Sequence, residues 1–344
     1  MAESSVGFPL LKVHTISARK PLANEDVNIP SERSGHRIVA TDNCIYAIGG
    51  YNPDYTELFD EVWCFNVATR TWTKLNTKGS QPKQVASHSM CLYGDNIVTF
   101  GGSGLPFGLN SSNDVHLLNL KDGQWQRIHC EALDNNANNL PSKRYGHTMH
   151  IINHHLYICG GTQGIDYMLD LYRLDLKTKS WEHIACRNPP EERYRHETVC
   201  DGKKMYMFGG GAANSVFDLI KIPVLDLKTF CWSYIQSVHD DAKGYPLSRK
   251  YHGCIHYKDD VYISGGMHPT AILKDIWKFS LKTHKWTYLG DMPEKLYFHG
   301  SAVSPGGSMY LFGGVKEDDN RTNILFQMRL EFFFLSLSPF IDRI

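Results

Sequence analysis

The sequence predicts an all-β fold: a six-bladed β-propeller with four antiparallel strands per blade, the sixth blade completed by a strand from the N-terminus. Three observations predict it. Six apolar, strand-like runs lead into a glycine pair, at Gly49-Gly50, Gly101-Gly102, Gly160-Gly161, Gly209-Gly210, Gly265-Gly266 and Gly313-Gly314, and the pairs begin 48 to 59 residues apart. A histidine stands 13 residues before the first glycine in five units (His36, His88, His147, His196 and His252), and His299 stands 14 before Gly313. A tryptophan follows the first glycine by 21 to 24 residues in five units, at Trp72, Trp125, Trp181, Trp232 and Trp286. A period near 50 held along nearly the whole chain marks supersecondary units that bury a core only by stacking on one another. A closed ring of small antiparallel sheets is the β architecture that answers to it.

The third unit shows how a blade is written. Arg144-Tyr145-Gly146-His147 opens it, and residues 148–152 read as a strand that turns at Asn153-His154. Leu156-Tyr157-Ile158-Cys159 is apolar enough for a strand buried on both faces. Gly160-Gly161 ends that run, removing two Cβ atoms where the chain turns and a neighbouring backbone approaches. Residues 169–174 form a third strand, 175–179 a polar turn, and 180–184 the rim strand. Trp181 and its four counterparts are expected to pack between blades, because large aromatics dominate such interfaces. The sixth unit departs from the pattern: it has a third strand near 324–330 and no tryptophan after it. Leu10-Leu11-Lys12-Val13-His14-Thr15-Ile16 resembles the rim segments, so residues 10–17 are expected to supply the missing strand and remove an open edge. The domain reading is a disordered stretch over 1–9, one propeller over 10–330, and an atypical apolar tail over 331–344.

Composition narrows the function. Basic and acidic side chains number 36 each, so no global field draws the chain to nucleic acid or an anionic membrane, and neither is expected as a partner. Nine cysteines are scattered without CxxC or zinc spacing, and those at 44, 91, 159 and 254 read as small buried hydrophobes. With no signal-peptide pattern and no membrane-length apolar run, the expectation is a soluble cytoplasmic or nuclear protein, where the sequon Asn320-Arg321-Thr322 carries no weight. The six histidines come once per blade and cannot converge on one ion. They read as structural, no metal or cofactor is expected, and no nucleophile elbow or paired carboxylates suggest an enzyme.

Binding residues are sought instead where blades enter the ring. Three residues before the register histidine stand Arg33, Arg144, Arg193 and Arg249, with Val85 and Leu296 in the other two units. Four such guanidinium groups would form a partial cationic ring at one mouth of the channel, unless Glu191, Glu192 or Asp60 takes them into blade-bridging pairs. Directly before the histidine stand Gly35, Ser87, Gly146, Arg195, Tyr251 and Phe298. Arg195 breaks the small-residue choice, and if its segment is extended, Arg193 and Arg195 point to the same face and reach one anion. Arginine matches a carboxylate bidentately, so these residues point to a carboxylate-bearing ligand. The loops after the glycine pairs, rich in Gly, Pro and aromatics, supply pocket walls, with Tyr51, Tyr167 and Tyr297 as candidates.

The repeats resemble the kelch superfamily over roughly residues 31–330. More narrowly, residues 49–55 (GGYNPDY), 101–108 (GGSGLPFG), 190–197 (PEERYRHE) and 292–299 (MPEKLYFH) are similar to a kelch family of substrate receptors of cullin-2 RING ubiquitin ligases. That resemblance implies a non-enzymatic recognition module that reads extreme C-terminal degrons, with a chain-terminal carboxylate held at the arginine-lined mouth. It also implies elongin B/C and cullin-2 as partners of a full-length form. Members follow the propeller with a helical docking segment, whereas residues 331–344 (EFFFLSLSPFIDRI) contain Pro339 and no amphipathic helix pattern, so ligase docking by this segment is not expected. The second reading is a scaffold or inhibitor that holds a folded protein partner without ubiquitination.

Overall fold

The computed structural model describes residues 12–19, 28–55, 58–213 and 215–330. Six antiparallel sheets follow one another round a ring. Blade 1 is Arg37–Ala40, Cys44–Ile48, Val62–Asn66 and Thr71–Lys74; blade 2 is Ser89–Tyr93, Asn96–Phe100, Val115–Asn119 and Gln124–Ile128. Blade 3 is Thr148–Ile152, His155–Thr162, Tyr167–Asp175 and Ser180–Ile184; blade 4 is Glu197–Cys200, Lys204–Phe208, Lys221–Asp226 and Cys231–Gln236. Blade 5 is Gly253–Tyr257, Asp260–His268, Ala271–Ser280 and Trp286–Asp291. Blade 6 is Gly300–Val303, Ser308–Phe312 and Leu325–Arg329, with Val13–Ile16 antiparallel to Leu325–Arg329 as its outer strand. The first strands face one another across the channel, and the fourth strands form the rim.

The repeat landmarks locate the blade interfaces. In five of the six pairs a Cβ on the first glycine would press on the next blade's histidine: at Gly160 it would lie 2.7 Å from His196 Cε1, and at Gly101 2.8 Å from His147 Cε1; at Gly265 it would meet Leu296 O at 2.5 Å instead. A Cβ on the second glycine would strike the histidine of its own blade, 2.9 Å from His147 Cβ at Gly161. Both glycines also hold positive φ, +66° and +102° in this pair, so no other residue serves either demand. Each tryptophan lies against the preceding blade. Trp72 meets Phe312 of blade 6 with ring centroids 5.0 Å apart, Trp181 meets Phe100 of blade 2 at 5.5 Å, and Trp286 meets Phe208 of blade 4 at 6.1 Å. Trp125 and Trp232 join clusters that include Ile48 and Val62 of blade 1 and Tyr157 and Cys159 of blade 3.

The closure of blade 6 keeps that register. In blade 1 Ile45 pairs with Phe65 and Phe65 with Trp72; in blade 6 Met309 pairs with Met328 and Met328 with Val13. Val13 therefore occupies the tryptophan position and packs on the cluster of Ile255, Tyr262, Met309 and Met328 between blades 5 and 6. The observed strand is Val13–Ile16 where 10–17 is expected; residues 10 and 11, like the stretches assigned to 1–9 and 331–344, lie outside the described residues.

Two local features differ from expectation. In blades 3 and 5 the second strand does not end at the glycine pair but runs through it over a bulge, between Cys159 and Gly161 and between Ser264 and Gly266, and pairing resumes beyond. The loops there are short enough for the two strands to continue as a hairpin. Linkers between blades also add rungs at the rim: Lys78–Gly79 and Glu131–Ala132 lie parallel to the fourth strands of blades 2 and 3.

Candidate functional site

The residue just before each register histidine builds a collar round the channel. All six positions, Gly35, Ser87, Gly146, Arg195, Tyr251 and Phe298, hold positive φ between +56° and +68°. Their backbones are linked in sequence: the N–H of Ser87 donates to Gly35 O, Gly146 to Ser87 O, Arg195 to Gly146 O, Phe298 to Tyr251 O, and Gly35 to Phe298 O, at 2.8 to 3.1 Å. Left-handed backbone suits glycine, which three consecutive blades nearly keep with Gly35, Ser87 and Gly146; blades 4 to 6 place arginine, tyrosine and phenylalanine there at a strain of roughly 1–3 kcal/mol each. The three large side chains pack together. Tyr251 stacks on Phe298 with centroids 4.0 Å apart, and the Arg195 guanidinium lies 4.5 Å from the Phe298 ring centre. Arg195 Nη2 donates to Ser87 Oγ, two blades back round the collar, while among the described residues its Nε has no partner.

Above the collar opens a cavity of about 290 Å3 lined by Tyr51, Phe107, Tyr145, Tyr194, Tyr297 and Phe298, with Arg195 on its floor and Arg321 at its side. The aromatic wall is braced internally: Tyr51 meets Phe107 edge-on at 5.1 Å, and the hydroxyls of Tyr194 and Tyr251 are 2.5 Å apart. Arg195 is only 8% exposed, and among the described residues no carboxylate pairs with it or with Arg321. Burial, and next the nearby Arg37 cation, pull the Arg195 pKa down to about 10, so it remains a charged group that gives up solvation. Below the collar Arg37 Nη1 meets Glu197 Oε1 across the channel at 3.1 Å and closes the floor. An aromatic bowl over one buried, uncompensated guanidinium is chemically fitted to an anionic group carried on a small apolar stem.

The other predicted residues are distributed as follows. Arg33, Arg144 and Arg249 are 0% exposed and pair with carboxylates of their own blades, Glu61 at 2.8 Å, Asp170 at 2.5 Å and Asp275 at 2.8 Å. Each also donates Nη1 to the first glycine of its pair, Gly49, Gly160 or Gly265, at 3.0 to 3.1 Å. These acids, not Asp60, Glu191 or Glu192, are the partners. Arg193 makes the same bond to Gly209 O at 3.2 Å and stands over Phe217 at 3.6 Å. It lines a different cavity from Arg195, because the positive φ at Arg195 breaks the alternation that would have put both on one face. Tyr51 and Tyr297 line the mouth cavity; Tyr167 reaches it only through Tyr194, ring centroids 5.2 Å apart.

The sequence pattern gives no role to Arg321, Tyr145, Tyr194 or Ser87, whereas Phe107 lies in one of the loops expected to wall the pocket. Arg321 sits where the repeat spacing offers no signal. The register histidines are buried at the blade interfaces, as with His147, whose Nε2 is 2.7 Å from Ser89 Oγ. Among the described residues one trio lies within metal-binding reach, His154, His155 and Asp175, none of which lines the channel or the mouth cavity. Asp175 there already accepts from the backbone N–H of Lys177 and Thr178. No helix among the described residues is long and apolar enough to cross a membrane.

Comparison with known proteins adds the family. The profile described as KLHDC2/KLHL20/DRC7 Kelch-repeats domain matches residues 8–135 and 110–314. The chain is 42% identical to Kelch domain-containing protein 10 of Homo sapiens over 88% of its own length and 71% of that protein. It is 41% identical to the Xenopus tropicalis protein over 94% and 82%, and 36% identical to the Drosophila melanogaster homolog over 87% and 55%. The chain belongs to the kelch-repeat family, alongside Kelch domain-containing protein 10, and is a β-propeller protein-binding module of that kind.

Proposed function

We propose that this propeller reads the free C-terminus of other proteins, as the recognition subunit of a cullin-2 RING ubiquitin ligase. The observation that carries the reading is Arg195: a buried guanidinium that, among the described residues, pairs with no carboxylate, on the floor of an aromatic bowl. A terminal carboxylate entering the bowl restores the counter-charge that burial denies this group, and charge-assisted bonds of this type contribute about 1.5–3 kcal/mol each. Arg321 stands at the side of the same cavity and supplies a second cation. Tyr51, Tyr145, Tyr194 and Tyr297 leave room for one or two small residues behind the terminus, which matches the capture of chain ends by preplaced donors. Arg33, Arg144 and Arg249 act behind this site by fixing the blades, and Tyr167 by bracing Tyr194. Elongin B/C and cullin-2 are the partners this role requires, and co-purification with them tests the ligase half of the proposal.

The second reading, a scaffold for a folded partner, draws support from Leu109 and Ile165, which are 86% and 89% exposed on adjoining loops of blades 2 and 3. The two readings separate in one experiment. Residues 1–330 are presented with a pooled library of free C-terminal peptides, each with its amidated twin. Selective retention of free glycine- or alanine-ended peptides supports the C-terminus reader; equal retention of amidated twins removes it in favour of the scaffold.

A further inference from the structure

The six blades serve as controls for one another at the arginine position. In blades 1, 3 and 5 the residue four before the tryptophan-paired Phe65, Leu174 and Phe279 is acidic, Glu61, Asp170 and Asp275, and it takes the guanidinium. The contact atom recurs: Nη2 of Arg33, Arg144 and Arg249 donates to that carboxylate at 2.8 to 2.9 Å. In blades 1 and 5 the carboxylate also accepts from the tryptophan two residues on, Trp63 or Trp277. Blade 2 has valine at the arginine position, and its acid, Asp114, is taken by Arg127 at 2.6 Å; blade 6 has Leu296 and Ile324.

Blade 4 alone keeps the arginine and lacks the acid. Leu225 pairs with Trp232, and four residues before it stands Lys221, with Pro223 at the tryptophan position. Arg193 is 4% exposed; its Nε and Nη1 are bound to the carbonyls of Glu191 and Gly209, and among the described residues Nη2 has no partner. In place of the missing carboxylate and ring is an open cavity of about 480 Å3, lined by Arg193, Lys221, Phe217, Pro223 and Tyr234. Glu191 and Asp218 also line the cavity, near enough to act on Arg193 through space, but among the described residues neither forms an ion pair with it; the Asp218 carboxylate accepts from the backbone N–H of Ile220 and Lys221.

We infer that this cavity on blade 4 is a second binding site, separate from the channel mouth, which takes an acidic side chain of a protein partner in the place that Asp170 and Asp275 fill in blades 3 and 5. The carboxylate docks on Arg193 Nη2, Lys221 adds a second cation, and Phe217 and Tyr234 wall the stem. The site depends on side chains, not a chain end, so it is indifferent to C-terminal amidation and stands or falls apart from the reading given for the mouth.

The test uses the full chain and a fluorescein-labelled hexa-aspartate peptide amidated at its C-terminus, read by anisotropy, with hexa-asparagine amide as the neutral control. Wild-type protein is expected to bind the aspartate peptide only, and Arg195→Gly to bind it equally. Lys221→Asp rebuilds the pattern of blades 3 and 5: it should weaken the peptide by about tenfold or more, the loss of one charge-assisted contact, and raise Tm because Arg193 gains an internal partner. Arg193→Ala should weaken it too, but can fail by unfolding, so Lys221→Asp is decisive. Absent binding, or equal binding by Lys221→Asp, overturns the inference. Competition by tripolyphosphate with no effect of the acidic peptide overturns the assignment to a protein carboxylate.

Discussion

Arg195 stands where the backbone favours glycine, and that conflict separates binding from folding at a single residue. Its φ is +56°, and the equivalent positions in blades 1 and 3 are Gly35 and Gly146. Arg195→Gly therefore asks the chain for nothing that two other blades do not already provide, and relieves about 1 kcal/mol or more of left-handed strain. It should leave Tm unchanged or slightly higher while weakening a free-carboxylate peptide by about 2–5 kcal/mol, the usual effect of truncating one partner of a buried charge pair. Calorimetry alongside a thermal melt reads both quantities; a peptide held with wild-type affinity by a stable Arg195→Gly protein removes this residue as the anchor. Four of the eight residues singled out from the sequence, Arg33, Arg144, Arg193 and Arg249, share a register position and so look alike on paper. What separates them is the residue facing each, Glu61, Asp170, Lys221 or Asp275, which lies 26 to 28 positions downstream, beyond the reach of local pattern.

At the level of the repeated element, the histidine wedged under a glycine of the preceding blade also sets how the ring responds to acid. Burial drives all six register histidines below their ordinary range, to about 3 for His88 and His196 and about 4 for His299. The native state keeps them neutral, whereas the unfolded chain protonates them near pH 6.5, so stability holds above that pH and falls as pH drops toward 4. Each contributes a slope of up to about 1.4 kcal/mol per pH unit in that window, and six act together. The propeller should thus lose the native fluorescence of its buried tryptophans in one cooperative step between pH 6 and 4, before most carboxylates titrate, and His88→Asn should make the step shallower. Retention of native fluorescence to pH 3.5 would refute this. The glycine, histidine and tryptophan landmarks were legible because each answers one steric demand that recurs from blade to blade, six times for the glycines and histidines and five for the tryptophan. The bulges in blades 3 and 5 were not, because whether pairing resumes past Gly161 or Gly266 depends on loop length rather than on the pair itself.

For the molecule as a whole, blade number and ring closure followed from the repeat, but the mouth did not. Its lining comes from blades 1 to 4 and blade 6 at once, and only the collar backbone brings Ser34, Tyr194 and Arg321 into one cavity. Closure itself rests on four residues, Val13–Ile16, paired with Leu325 to Met328, and on Val13 in the position five tryptophans hold elsewhere. That strand joins the beginning of the chain to its last blade, so removing it opens the ring and leaves Leu325–Arg329 as a bare edge, a template for pairing with another copy. Deletion of residues 1–17 should lower Tm by about 5 °C or more and produce concentration-dependent oligomers in light scattering. A synthetic peptide of residues 10–19 supplied in trans should restore both, while the same peptide with Val13→Asp should not, because the charge would enter the interface between blades 5 and 6 without a partner. A truncated protein that stays monomeric with unchanged Tm would show that the five complete blades hold the ring shut without this strand.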